Sequence, residues 1–233
     1  MKKLLLISTL FFGFISCSDD HELIIKQTKL LKITEETYEG GDLTSSGFIE
    51  YKYGDNNFVN ELIASGGYSI KYIYDFNNQI IKIISTDSNG NSGEANYSYT
   101  NGLITTETSG NGNSTINYFY NNSNQLTRIS GNTSNLSVNE TYLTYDTNEN
   151  VVNIIYNSEI IDSFEYDNKP NPFRLLFPSA YSKIKHIGNN NVILRNDANR
   201  ITTYKYNSNN YPVEANHSID LLGIVKIREF FYN

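Results

Sequence analysis

Eight large-residue doublets, seven of them wholly aromatic, punctuate the chain, and their spacing constrains the fold more than any other feature. The second member of each is a tyrosine, at Tyr53, Tyr74, Tyr99, Tyr120, Tyr145, Tyr166, Tyr206 and Tyr232, in steps of 21, 25, 21, 25, 21, 40 and 26 residues. Fixed periods of this size mark repeat architectures. Two residues earlier stand Tyr51, Tyr72, Tyr97, Tyr118, Leu143, Phe164, Tyr204 and Phe230. Positions i and i+2 of a strand share a face, so each repeat sends a large pair to one side. The residue between faces the other way, and five of the eight are polar: Lys52, Ser98, Thr144, Glu165 and Lys205. An antiparallel sheet with one packed and one wet face has this pattern.

Turn-formers follow each doublet, as in Asp75, Asn77 and Asn78, or Asn121, Asn122 and Asn124. Asn, Asp and Gly tolerate positive φ and bond their own backbone, which a hairpin connection requires. A second strand then begins: "FVNELIA" from Phe58, "IIKII" from Ile80, "LITTET" from Leu103, "LTRI" from Leu126 and "VVNII" from Val151. Apolar residues at i and i+3 in several of these would fall on opposite faces of a regular strand, so a β-bulge, or a brief apolar contact on the wet face, is expected there. Seven or eight units give about 14 to 16 strands, or about 70 Å of flat sheet at about 4.8 Å per strand. Open sheets rarely exceed about ten strands without curling. The expectation is therefore an all-β fold: an elongated, curled antiparallel sheet of hairpin repeats, its aromatic face wrapped inward, with one short irregular or helical insert.

The N-terminus reads as a removable segment. Lys2 and Lys3 precede an apolar run from Leu4 to Ile15, shorter than the roughly 20 residues that a membrane-spanning helix needs. The run ends in Phe14, Ile15, Ser16 and Cys17, the chain's single cysteine. This resembles a lipobox, and the resemblance implies a signal peptide over 1–16 with Cys17 as the acylated first residue. Ser18, Asp19 and Asp20 resemble the acidic export tag of surface-displayed lipoproteins of the Bacteroidetes type. The organisation expected is thus a tether over 17–28 and a sheet domain over 29–233, with the insert at 167–197. The address implied is an outer-membrane lipoprotein facing the cell exterior, its contact with the membrane made through the lipid.

Charge narrows the partners. Without Lys2 and Lys3 the chain holds 16 basic against 25 acidic residues, the wrong sign for nucleic acid or for docking on anionic lipid. One cysteine, spent on lipid, leaves no disulfide or thiol chemistry. No nucleophile elbow, zinc-binding His pair or phosphate-binding loop occurs, and His21, His186 and His217 are isolated in sequence. No enzyme, cofactor or metal is expected, although scattered carboxylates leave a glycoside hydrolase pair as an alternative. "DSNGNSGE" (87–94) and "DTNEN" (146–150) alternate Asp and Asn as calcium loops do, but Ser98 and Asn157 stand where the distal glutamate would be. Plain turn chemistry accounts for both.

The phrase Y-x-Y-D-x-x-x-x-L-x-x-I, as in "YIYDFNNQIIKI" and "YFYNNSNQLTRI", resembles the YD repeats of Rhs-type proteins. "FEYDNKPNPF" from Phe164, "NNNVIL" from Asn189, "YKYNSNNYPVEA" from Tyr204 and the closing "FFYN" resemble the ending of small repeat-bearing lipoproteins of the Bacteroidetes type, an uncharacterised domain family. The resemblance implies a fold and an address. The shell-forming role of large Rhs proteins does not follow from it, since seven or eight units are too few to enclose a domain.

Two features remain as candidate sites. The step of 40 residues contains Pro170, Pro172 and Pro178, which interrupt strand pairing. "SAYSKIKHI" from Ser179 can form two helical turns with Tyr181, Ile184 and Ile187 on one face, read as a cap lying across the sheet. The doublets Tyr72, Tyr74, Tyr97, Tyr99, Tyr118 and Tyr120 are the candidate ligand platform for a glycan, peptide or protein partner, since aromatic faces with interleaved Asn suit a sugar. Their recurrence in every unit, with no Trp in the chain, favours a core role over a dedicated site. The functional expectation is a non-catalytic binding or interaction module, the alternative a purely structural envelope or adhesion component.

Overall fold

A computed structural model describes residues 28–133, 136–196, 200–219 and 223–233. The signal segment, Cys17 and His21 lie outside the described residues. Sixteen strands are described: β1 (Leu30–Glu39), β2 (Asp42–Tyr53), β3 (Val59–Ala64), β4 (Ser69–Tyr74), β5 (Ile80–Thr86), β6 (Ser92–Thr100), β7 (Leu103–Ser109), β8 (Ser114–Tyr120), β9 (Leu126–Thr133), β10 (Leu136–Tyr145), β11 (Val151–Tyr156), β12 (Glu159–Pro170), β13 (Asn190–Arg195), β14 (Arg200–Tyr206), β15 (Pro212–Ile219) and β16 (Ile224–Tyr232). Each pairs antiparallel with its neighbour in sequence, and β1 pairs with β16.

That last pairing corrects the open sheet. The curl runs to completion: Ile33 lies opposite Phe230 and Glu39 opposite Ile224, and Lys29 N–H donates to the Asn233 side chain at 2.8 Å. Closure satisfies the ladder of both terminal strands, removing the edges that a half-pipe would expose.

The doublets organise the hairpins as follows. Asp75 Oδ1 accepts from the N–H groups of Asn77 and Gln79, both at 2.9 Å, and Asn78 takes φ 59°. Asn121, Asp146 and Asn207 repeat the arrangement, with Asn124, Glu149 and Asn210 in the left-handed region. The carboxylates of Asp87 and Asp146 are likewise engaged by their own turns.

Beyond each turn the second strand holds one extra residue. Tyr74 pairs with Ile80 but Ile73 pairs with Lys82, leaving Ile81 as the bulge. The same shift recurs opposite Tyr53, Tyr99, Tyr120, Tyr145, Tyr166 and Tyr206. The bulge brings Ile80 and Ile83 to one face, both buried, which is how apolar residues three apart share an interior.

The doublets point into the lumen, and tyrosine hydroxyls tie neighbouring strands together. Tyr74 donates to the Val59 carbonyl at 2.5 Å, Tyr99 to Ile80 at 2.9 Å, Tyr120 to Ile104 at 2.7 Å, Tyr145 to Leu126 at 2.7 Å and Tyr166 to Val151 at 2.6 Å. Tyr53, Tyr204 and Tyr232 complete the circuit on Leu30, Val192 and Pro212. Every even-numbered strand is thereby fastened to the odd one before it.

Residues 171–189, between β12 and β13, fold into the barrel end that carries these turns. β12 extends to Pro170 and β13 begins at Asn190, so ladder pairing reaches further than the prolines indicate, with Pro170 opposite Asn190 at the strand ends. Asn171 caps a 3-10 turn (Pro172–Leu175) by accepting from Phe173 N–H at 3.0 Å, and α1 (Ser179–Ile184) follows. Leu176, Phe177, Tyr181 and Ile184 are buried among the inward rings. The segment is a plug: Val59 N–H donates to the Leu176 carbonyl, Lys183 Nζ to the Asn124 carbonyl and Asn189 Nδ2 to the Asn148 carbonyl.

Candidate functional site

The tyrosines of the candidate platform are not an open surface. Tyr72, Tyr97 and Tyr118 are 7, 7 and 6% exposed. The Tyr181 ring meets Tyr72 and Tyr97 edge-on with centroids at 5.9 and 5.8 Å, and Phe177 lies 4.7 Å from Tyr72. Tyr74, Tyr99 and Tyr120 spend their hydroxyls on backbone carbonyls. The plug covers the faces that a sugar would need. Burial pushes every one of these phenols above its ordinary pKa.

The open part of the lumen lies at the other end, and different residues line it. Inward positions there are small or charged: Ser45 and Gly47 on β2, Arg195 on β13, Arg200 and Thr202 on β14, His217 on β15, and Lys226 and Arg228 on β16. One cavity of about 420 Å³ is walled by Phe164, Tyr204, Phe230, Thr202, His217 and the basic side chains. A second, of about 500 Å³, is walled by Ile33, Glu35, Ser45, Gly47, Phe48 and Tyr51. Phe173 of the plug and Arg228 belong to both.

Charge in this chamber is unevenly balanced. Glu35 takes two cations, Lys226 Nζ at 3.1 Å and Arg228 Nε at 2.6 Å. Burial raises the Glu35 carboxyl's pKa, but Arg228 and Lys226 outweigh it and hold the group below the usual carboxylate range. Such a carboxylate stays ionised and is a poor general acid. Arg195 Nε contacts the buried Asp162 at 2.6 Å, and the second Asp162 oxygen makes no hydrogen bond among the described residues. Burial lowers the pKa of His217 to about 4, with Arg228 adding to the effect. His217 is therefore neutral at pH 7, with Nδ1 2.8 Å from the Thr202 hydroxyl and Nε2 buried and without a hydrogen bond among the described residues. Among the described residues no group of three metal-ligating side chains converges.

None of these lumen residues stands out in the sequence, and His217 reads there as isolated. Strand parity is the signal that finds them: Lys226 and Arg228 share the alternation of Phe230 and Tyr232, and Arg200 and Thr202 that of Tyr204 and Tyr206.

The barrel resembles a porin-like one. A crystal structure of a porin-like protein from Bacteroides uniformis ATCC 8492 matches 88% of this chain and 98% of its own at 12% identity, with a TM-score of 0.56. A porin-like protein from Bacteroides vulgatus ATCC 8482 also matches at 12% identity over 88% of this chain and 99% of its own, with a TM-score of 0.26. TcdB2-TccC3-TEV matches at 14% identity over 87% of this chain but 11% of its own, with a TM-score of 0.37. Only the first of these three is close enough in shape to support an argument, and at that identity it speaks to fold alone. No family model matches, and no curated protein matches either. The resemblance to YD-repeat lipoproteins, Rhs-like and of the Bacteroidetes type, is corrected accordingly. The Y-x-Y-D phrase marks a bulged hairpin with an Asx turn, and here such hairpins close into a sixteen-strand barrel.

Proposed function

We propose that the protein is a non-catalytic binding module, tethered to the outer membrane by a lipid on Cys17, with its barrel standing in water and its ligand taken into the lumen. The observation that carries this reading is the outer wall. Cross-strand ion pairs run around it: Lys32–Glu50, Lys52–Glu61, Lys82–Glu94, Arg128–Glu140 and Lys205–Glu214, at 2.5–3.1 Å. Exposed apolar groups such as Ile73, Phe119, Ile201 and Phe231 are interspersed with these charges, and Arg128 lies over the Phe119 ring at 3.8 Å. A barrel that crosses a bilayer needs an unbroken apolar band about 25 Å tall, and a Lys or Arg at its midplane costs about 2–4 kcal/mol. The wall described here favours water.

Porin-like describes the Bacteroides uniformis protein and accords with an outer-membrane address. No helix among the described residues is long and apolar enough to cross a membrane, which says nothing of strands. β1 starts at the plugged end, so a lipid at Cys17 would hold that end toward the membrane and turn the open mouth outward. The stretch from Cys17 to Thr28 reaches at most about 40 Å.

Two measurements test the reading. Cys17→Ala should abolish metabolic labelling with radioactive palmitate and release the protein from membranes; unchanged labelling sinks the tether. The mature protein in detergent, screened against glycans and peptides, should retain at least one ligand. Uniform silence would favour a purely structural envelope component.

A further inference from the structure

We propose that the open half of the lumen is a binding site for a small acidic sugar, its carboxylate held by Arg228 and Lys226. The inference rests on the binding-module reading and names the ligand class.

Four observations converge on it. Among the described residues Lys226 and Arg228 share one carboxylate, Glu35, so this corner of the chamber carries surplus positive charge. Arg228 bonds through Nε, and its two terminal nitrogens make no hydrogen bond among the described residues. A guanidinium fork presented in this way fits a carboxylate with two parallel bonds. His217, opposite Lys226 in the ladder, has a buried Nε2 without a partner among the described residues. Whichever tautomer the Thr202 contact selects, that nitrogen can either donate to or accept from a ligand hydroxyl.

The walls add shape. Phe164 and Tyr204, both part-exposed, line the same cavity beside the buried Phe230, and flat aromatic faces suit the C–H face of a sugar ring. Its volume of about 420 Å³, with Phe173 and Arg228 shared as wall residues with a second cavity of about 500 Å³, is in the range of small-molecule pockets. A bare inorganic anion would satisfy the cations but leave the rings wet and the His217 nitrogen unpaired. An uncharged sugar would leave the cation surplus unmet. A sugar acid meets all three requirements.

The test is titration calorimetry on the full mature protein in detergent, with glucuronate, galacturonate and N-acetylneuraminate against glucose, galactose and acetate. At least one acid should bind, tenfold or more tighter than its neutral counterpart and than acetate, and the affinity should fall with added salt. Arg228→Gln should weaken binding at least tenfold with unchanged circular dichroism. Should that variant not fold, Lys226→Gln takes its place with the same expectation. Silence with all three acids, equal binding of acid and neutral sugar, or a folded variant that binds like the parent would each overturn the proposal. If the wider glycan and peptide panel still yields a ligand, only the acidic-sugar inference falls; if both are silent, the binding-module reading falls with it.

Discussion

The two ends of the barrel are built from the same strands and the same inward alternation, yet they solve opposite problems. On β16, Tyr232 and Phe230 face the plugged end and Arg228 and Lys226 the open one; on β2, Tyr53 and Tyr51 give way to Gly47 and Ser45; on β6, Tyr99 and Tyr97 give way to Ala95 and Gly93. A sixteen-strand barrel is too wide for its own side chains to fill. At one end the chain adds a plug and meets it with rings. At the other it recedes to small residues and leaves a polar chamber. The packed plug and the proposed binding chamber are thus separated along the barrel axis, and that separation is open to attack from either side.

The largest effect should come from alkali, and it should strike the plugged end. Its buried phenols all have pKa values raised by burial above the ordinary 10, and Tyr145 rises to about 12. A group whose folded pKa is raised favours folding fully below its unfolded pKa and loses that contribution as pH climbs toward the folded value. Cooperative unfolding is therefore expected between pH 10 and 12, with phenolate absorbance at 295 nm rising together with the loss of circular dichroism. Phenolate in excess of what exposed tyrosines such as Tyr68 and Tyr142 supply, appearing well before the fold is lost, would mean that the rings are wet.

Truncating the plug comes next. Tyr181→Ala removes a 6% exposed ring packed on Tyr72, Tyr97 and Phe177, and large-to-small changes of this kind cost about 3–5 kcal/mol. Urea unfolding of the mature protein measures it. A loss under about 1 kcal/mol would mean that the barrel stands without its plug, and the contrast between the two ends would lose its basis.

A single hydroxyl of the tyrosine circuit is worth less. Tyr99→Phe keeps the ring and withdraws the bond to the Ile80 carbonyl, at a cost of about 0.5–1.5 kcal/mol. Matched losses from Tyr74→Phe and Tyr120→Phe would show that the repeats share the load equally.

How much of this the sequence discloses depends on distance along the chain. The bulge is legible because Ile80 and Ile83 stand three apart, and the turns because Asp75, Asn121, Asp146 and Asn207 recur at one offset. Both are local. Closure is not: Leu30 meets Tyr232 across nearly the whole chain, and "LLKITEETYE" carries no doublet to announce a partner. The cover over the candidate platform is hidden for a related reason. Period fixes the face that Tyr72 and Tyr97 occupy, but what covers that face is Tyr181, more than 80 residues away in an irregular segment. The lumen cations share the tyrosines' parity, yet they become a chamber only once β16 has met β1.

The smallest effect bears on the outside of the barrel, where the two ends are alike. Lys52 and Glu61 sit opposite each other with a 2.8 Å contact, their side chains 56 and 24% exposed. In water such a pair contributes about 0.2–1 kcal/mol, so a double-mutant cycle of Lys52→Ala and Glu61→Ala should return a coupling in that range, shrinking with salt. Against lipid the sign of the lysine's own contribution would reverse: its removal would stabilise the barrel by about 2–4 kcal/mol if it lay near the midplane. A small, salt-sensitive loss from Lys52→Ala therefore argues for a wall in water. A clear gain in a bilayer would move the protein into the membrane, turn the lumen into a plugged channel, and make the open chamber its vestibule.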